Sequence, residues 1–407
     1  MINLSTHNIL SVLLLILAFH QSATVFAANT DKQAVVDSLV SEALDMSRHG
    51  RFLESNQIFD GLLHDYRFSR NSKRTIYQWM GANAMLEGDY VECRKYLVLQ
   101  GRNKKKDAVL KFCTALASLP KETAVRPDND IVIPYSIDSL YFENKFKGCL
   151  IRIPVNIGGK EEMMIIDNGC AYYSAVSDSF AREHGIRPVD ASITTIGTVG
   201  KANSGMGIAD SISIGGMVFK NILFQIIPDE SVQNPVTDLN AVLGANFFRL
   251  AGEMDFDNKD RTITFPVTQH EMEPDITIND EGQHFMDVVV DCDTLKFQLD
   301  LGATRTSLSS NYFNKNEERI VNTCAADTIS VGGVGGMTKE KIYTMENVEF
   351  LSEGGSYLMS ETSVHTCSNP AEDDEDGSLG NDFLLSFDKA VLNLKKMFLY
   401  SEVETDL

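Results

Sequence analysis

The chain has 407 residues, 57 of them acidic against 36 Lys and Arg, for a net charge of −21. This balance argues against nucleic-acid binding, which needs a basic surface. The eight histidines are scattered, and the seven cysteines include no Cys-x-x-Cys pair. No phosphate-binding loop is present either, so neither a metal nor a cofactor is expected.

Residues 1–27 read as a secretory signal peptide. Ile9 to Phe19 is apolar but too short for a confident membrane span, and Val25-Phe26-Ala27 supplies small residues at a cleavage point. The expectation is export, to the periplasm or outside the cell, with no membrane span after cleavage. An uncleaved anchor is the alternative.

Residues 28–122 carry helical spacing: Val36, Leu39, Ala43 and Met46, then Ile58, Leu62 and Leu63. Gly50-Arg51-Phe52 recurs 38 residues later as Gly88-Asp89-Tyr90, each between apolar helical stretches. This pattern resembles a degenerate tetratricopeptide-type helical hairpin repeat, with a plain helical bundle as the alternative. Such a domain can present substrate, contact a protein partner, or only support the fold. Lys121 to Asp130, with Pro127 and several charges, reads as a linker.

The rest of the chain says the same thing twice. Met163-Met164-Ile165-Ile166 ends in Asp167-Asn168-Gly169-Cys170, with Ser174 seven residues after the aspartate. Phe297-Gln298-Leu299 ends in Asp300-Leu301-Gly302-Ala303, with Ser307 at the same distance. The two aspartates are 133 residues apart (300 − 167). Two later landmarks keep nearly this offset. Ile196-Gly197-Thr198-Val199-Gly200 matches Val331-Gly332-Gly333-Val334-Gly335, and Val242-Leu243-Gly244 matches Ser378-Leu379-Gly380. An apolar hairpin-like tail closes each copy, Met254 to Phe265 and Val391 to Tyr400. Landmarks in one order at a constant offset argue duplication of a small domain. Alternating apolar residues bounded by Gly, Asp and Asn predict β-hairpins, hence two mostly-β lobes at 131–268 and 269–407.

At these motifs the chain resembles the retropepsin and pepsin-like aspartic proteases. That family places an apolar strand ending in Asp-Thr/Ser-Gly, a glycine-rich flap and an apolar-Gly threading segment in each half. The resemblance covers roughly residues 130–402 and implies a mainly β, two-lobed domain after a small all-α one. It implies an endopeptidase acting on a polypeptide substrate, with Asp167 and Asp300 activating a water. Two facing carboxylates hold one shared proton, so one can act as base and the other as acid. Asn168, Gly169, Leu301 and Gly302 would support the catalytic loops. Gly197, Val199, Gly200, Gly333, Val334 and Gly335 would form flaps over substrate bound as an extended strand.

Two departures bear on activity. The family has a Thr or Ser after each aspartate, whose hydroxyl grips the opposite loop. Asn168 can donate and accept; Leu301 can do neither. A one-sided grip predicts a less rigid pair, so a catalytically impaired, peptide- or partner-binding protein is the alternative reading. A third reading is a structural assembly protein in which the helical repeats do the functional work. Asp167-Asn168-Gly169 taken alone also suits a type I′ hairpin turn. Ser174 and Ser307 read as structural, and Cys170 as a buried, unreactive thiol. Cys93 with Cys113, and Cys324 with Cys367, are conceivable bridges that sequence does not assign. The acidic stretch Glu372 to Asp376 lacks the spacing of a calcium loop and reads as solvated.

Overall fold

The computed structural model describes residues 30–103, 107–142, 145–196, 200–232, 237–333, 336–352, 355–368 and 374–402. The signal-peptide reading, and the flap positions Gly197, Val199, Val334 and Gly335, lie outside the described residues. The chain is mainly β with a helical region in front. It divides into two units, Met1–Lys121 with Ile278–Gly282, and Glu122–Thr277 with Gln283–Leu407. No helix among the described residues is long and apolar enough to cross a membrane.

Among the described residues, the first unit contains five helices, Thr30–Arg48, Phe52–Asp65, Arg70–Leu86, Tyr90–Leu99 and Ala108–Leu116, each packed on the next. The two Gly-x-aromatic triplets end one helix and start another. Arg51 N–H reaches back to the Met46 carbonyl at 2.9 Å and Asp89 N–H to that of Ala84 at 2.8 Å, closing the last turn around a left-handed Gly50 or Gly88. Phe52 and Tyr90 are then buried at the head of the next helix. Ser47, Ser55, Asn56 and Asn83 tie three of the helices together with side-chain hydrogen bonds of 2.8–3.0 Å. The Cys93 and Cys113 sulfurs lie 3.3 Å apart as buried thiols.

In the second unit the predicted hairpins form, and two large sheets follow one plan. Lys145–Ile157 turns through Gly158 and Gly159, both with φ above zero, into Lys160–Ile166. His284–Val290 turns through Asp291 and Cys292, again with φ above zero, into Asp293–Leu299. Both are the backbone signature of a tight hairpin. The return strand then pairs in parallel with a short later strand, Lys160–Ile166 with Ala241–Leu243 and Asp293–Leu299 with Gly377–Leu379. That short strand pairs antiparallel with the one leaving the aspartate loop, Ser174–Ser177 or Ser307–Leu308. A long two-stranded arm completes each sheet: Arg187–Ile196 with Lys201–Ile214, and Ala325–Gly333 with Gly336–Ser352.

The two hairpin tails meet. Glu253–Asp257 and Thr262–Phe265 join Lys389–Asn393 and Phe398–Glu402 in one five-stranded sheet, with Glu253–Asp257 and Lys389–Asn393 side by side. Ile131–Pro134 forms its outer edge. The expected linker is not one. Thr123–Val125 is a strand paired with Met217–Ile227. Glu122 is buried, accepting from Leu223 N–H and Asn246 Nδ2 and paired with Arg249 at 2.9 Å. Its segment read as a charged linker because the three partners are remote in sequence.

In the shared sheet Glu253 accepts from the His270 backbone and ring, while Asp255 beside it leaves one buried oxygen unpartnered. Burial, and then the Glu253 charge, push the Asp255 carboxyl up to about 6. An acid raised in the folded state contributes stability below its ordinary range and loses it as pH rises through about 6. Asp255→Asn should therefore raise unfolding stability at pH 8 by about 1 kcal/mol, after discounting for solvent. Near pH 3.5 it should do nothing, which denaturant melts at the two pH values would check.

Candidate active site

The two Asp-x-Gly loops face each other. Asp167 N–H bonds the Leu243 carbonyl, and Asp300 N–H that of Leu379, both at 3.0 Å. Each aspartate is thus fixed by the strand threading behind it, and Asp167-Asn168-Gly169 is not a hairpin turn. Gly244 and Gly380 follow those strands and pass close behind the loops, where a Cβ would fall 2.2 Å from the Tyr173 oxygen or 2.6 Å from the Arg305 carbonyl carbon. Ala245 N–H then bonds the Cys170 carbonyl, and Asn381 N–H that of Ala303, at 2.9 and 3.0 Å.

Threonine and serine share a role here that spacing misassigned. Ser174 Oγ accepts from Gly244 N–H and donates to Asn246 Oδ1. In the second copy Thr306, not Ser307, accepts from Gly380 N–H and donates to Asp382 Oδ1. Ser307 sits one place further on, in the strand. The first loop is one residue longer, so equal spacing from the aspartates pointed to unequal positions.

The glycines bring the carboxyls together. A Cβ on Gly169 would lie 2.3 Å from Asp300 Oδ1, and one on Gly302 would lie 2.4 Å from the Asp167 carboxyl carbon. Only a residue without a side chain allows this crossed approach. Asp167 and Asp300 are within hydrogen-bonding range of each other. Burial, reinforced by the Asp300 charge, holds the Asp167 carboxyl well above the usual range. Burial also raises Asp300, against the pull of N–H donors from Gly302, Ala303 and Gly169. Asp167 and Asp300 are half-buried as residues, while Asn168 and Leu301 beside them are fully buried.

The expected one-sided grip is present, and the amide accepts and donates across the loops as a hydroxyl would. Asn168 Oδ1 accepts from Leu301 N–H at 2.8 Å, and its Nδ2 donates to the Leu299 carbonyl at 2.6 Å. One amide thus spans the residues on both sides of Asp300. Leu301 contributes its backbone: its carbonyl takes a 2.6 Å bond from Asn381 Nδ2, and its side chain packs in the core. Cys170, half-buried rather than buried as expected, donates its thiol to the Tyr173 carbonyl at 2.9 Å, and burial and then the Asp167 and Asp300 charges push that thiol well up.

Of the flap positions, Gly200 and Gly333 are described. Gly200 lies between the paired strand ends Ile196 and Lys201; Gly333 pairs with Gly336 at the tip of the second arm. Sequence reasoning missed His284, Thr306, Asn246, Asn381 and Asp382. Only the last three lie within two residues of a matched segment, just after Leu243-Gly244 and Leu379-Gly380.

Residues 153–250 match the family model described as gag-polyprotein putative aspartyl protease. The match supports an aspartic-protease family. No curated protein matches the chain. Among solved structures, it is similar to conglutin gamma, a 7S globulin from lupine seeds, at 11% identity and a TM-score of 0.39, over 67% of this chain and 94% of that one. It is also similar to a retropepsin-like aspartic protease from Rickettsia conorii, at 19% identity and a TM-score of 0.23, over 34% and 99%. A third similarity is to the EIAV protease complexed with the inhibitor HBY-793, at 18% and 0.19, over 29% and 91%. Likenesses this partial leave the fold to rest on the chain's own strand pairings.

The crossed geometry generates two tests. Gly302→Ala should cost about 1–3 kcal/mol of stability, the usual penalty for forcing atoms into a filled site, as read by chemical denaturation. Asp167→Asn should do the opposite at neutral pH. Its acid is raised in the folded state, so the wild type is penalised above that range and relieved below it. The variant should be the more stable at pH 7, and its advantage should vanish toward pH 3, as followed by thermal melts.

Proposed function

We propose that the protein is an aspartic endopeptidase whose catalytic pair is Asp167 and Asp300, one from each of two β lobes in a single chain. The observation that carries this reading is the reciprocal packing of each carboxyl against the other loop's glycine. With both carboxyls raised, the pair keeps one proton over a broad acidic range. The ionised member takes a proton from a water, which attacks the peptide carbonyl. The protonated member polarises that carbonyl and then protonates the departing amine. The long arms ending near Gly200 and Gly333 close over an extended polypeptide and pair with its backbone.

The helical unit, read as tetratricopeptide-like, would contact a protein partner, with Leu53, Val91 and Val98 exposed on its helices. Export to the periplasm or beyond remains part of the proposal. The competing reading, a non-catalytic peptide-binding protein, rests on Leu301. The two bonds made by Asn168 weigh against it, because they supply the brace that the missing hydroxyl would have given.

Incubating the full chain with a diverse peptide mixture from pH 3 to 8 tests the proposal. Cleavage should follow a bell-shaped pH profile, and Asp167→Asn and Asp300→Asn should each lower it by at least about a thousandfold. Folded wild type that cleaves nothing, or cleavage that survives either substitution, would move the protein to the binding class.

A further inference from the structure

We propose that His284 is a positioning residue for the carboxyl pair, acting by locking the amide of Asn168 that braces the two loops. The inference rests on the endopeptidase reading above. It concerns how this chain keeps its site rigid with leucine at position 301.

A primary amide has one acceptor oxygen and two N–H donors. At Asn168 all three are used. The oxygen takes the Leu301 N–H at 2.8 Å, one N–H goes to the Leu299 carbonyl at 2.6 Å, and the nitrogen lies 3.4 Å from His284 Nδ1. Asn168 is fully buried, so without the histidine its second N–H would have no water to turn to. An unmet buried donor is costly, and its cost would fall on the brace itself. The backbone of Leu299 and Leu301 fixes which way round the amide sits, and His284 takes up the N–H that this leaves over. The reversed amide would set its oxygen against the Leu299 carbonyl and its nitrogen against the Leu301 N–H, so with this orientation the histidine meets it as the tautomer whose Nδ1 carries no proton.

The histidine is suited to this task. It is 3% exposed and stands opposite Leu299 in the antiparallel pair His284–Val290 with Asp293–Leu299, so the strand leading into Asp300 carries it. Burial lowers its pKa to about 4, so the ring is neutral over most of the pH range and, with its proton on Nε2, offers Nδ1 as an acceptor. A planar amide with a fixed acceptor behind it therefore braces the loops from one side, where a pair of hydroxyls would do so from two. Position 301 is left to pack as an apolar residue.

The test measures kcat and KM per folded molecule for full-length variants. His284→Phe keeps bulk and removes the acceptor; His284→Gln offers an acceptor oxygen instead. We expect His284→Phe to lower kcat by about 10- to 100-fold with KM nearly unchanged, the scale of a slightly misplaced reacting group. His284→Gln should recover most of it. In an Asn168→Thr/Leu301→Thr background, where two hydroxyls supply the grip, the loss from His284→Phe should shrink to under about twofold. An unchanged kcat for His284→Phe, or the same loss in both backgrounds, would overturn the proposal. If the wild type proves to have no peptidase activity, the endopeptidase reading fails by itself. The brace is then judged by unfolding midpoints of His284→Phe, Asn168→Ala and the double variant. Non-additive shifts support it, and additive ones overturn it.

Discussion

Two like charges forced together away from water repel each other, and the second unit is built around that cost. Burial is the largest influence on both the Asp167 and the Asp300 carboxyl. They have backbone N–H donors, each other, and a glycine opposite each carboxyl. Such a pair relieves its repulsion by holding a proton, which is the property that makes it useful chemically. Contact without rigidity would let the carboxyls drift apart and lose both effects.

Rigidity comes from layers of support that repeat in both copies. Each aspartate N–H is held by a threading strand, each threading glycine by a hydroxyl, and each hydroxyl by Asn246 or Asp382 on the following helix. The five-stranded sheet then ties the copies together, because strands from both lie side by side in it. The loops themselves are bridged by Asn168, which reaches across to the residues flanking Asp300. Symmetry is therefore strong in the backbone and broken in the brace.

Much of this was legible in the sequence, and the reasons differ by element. The Asp-x-Gly loops, the Leu-Gly segments and the hairpins were readable because short strands alternate in pattern and because the landmarks recur at nearly constant offset. Counting from the aspartate failed at Thr306, since one extra residue in the first loop shifts the register between copies. Glu122 looked like linker charge because its partners Leu223, Asn246 and Arg249 are more than 100 residues away. His284 gave no signal, lying 116 residues from Asn168 and in an ordinary strand. The chemistry of Asn168 was readable as donor and acceptor, but which atoms it met depends on how the two loops approach.

The central claim is that Asp167 and Asp300 share one proton. Carbon-13 NMR of aspartate-labelled protein, titrated with pH and assigned through Asp167→Asn and Asp300→Asn, observes it directly. The account predicts one carboxyl signal that stays protonated well above the ordinary aspartate range in the wild type, and a changed titration of the surviving carboxyl in each variant. Two independent carboxyls, both titrating near the ordinary aspartate value and each indifferent to the other's substitution, would contradict it.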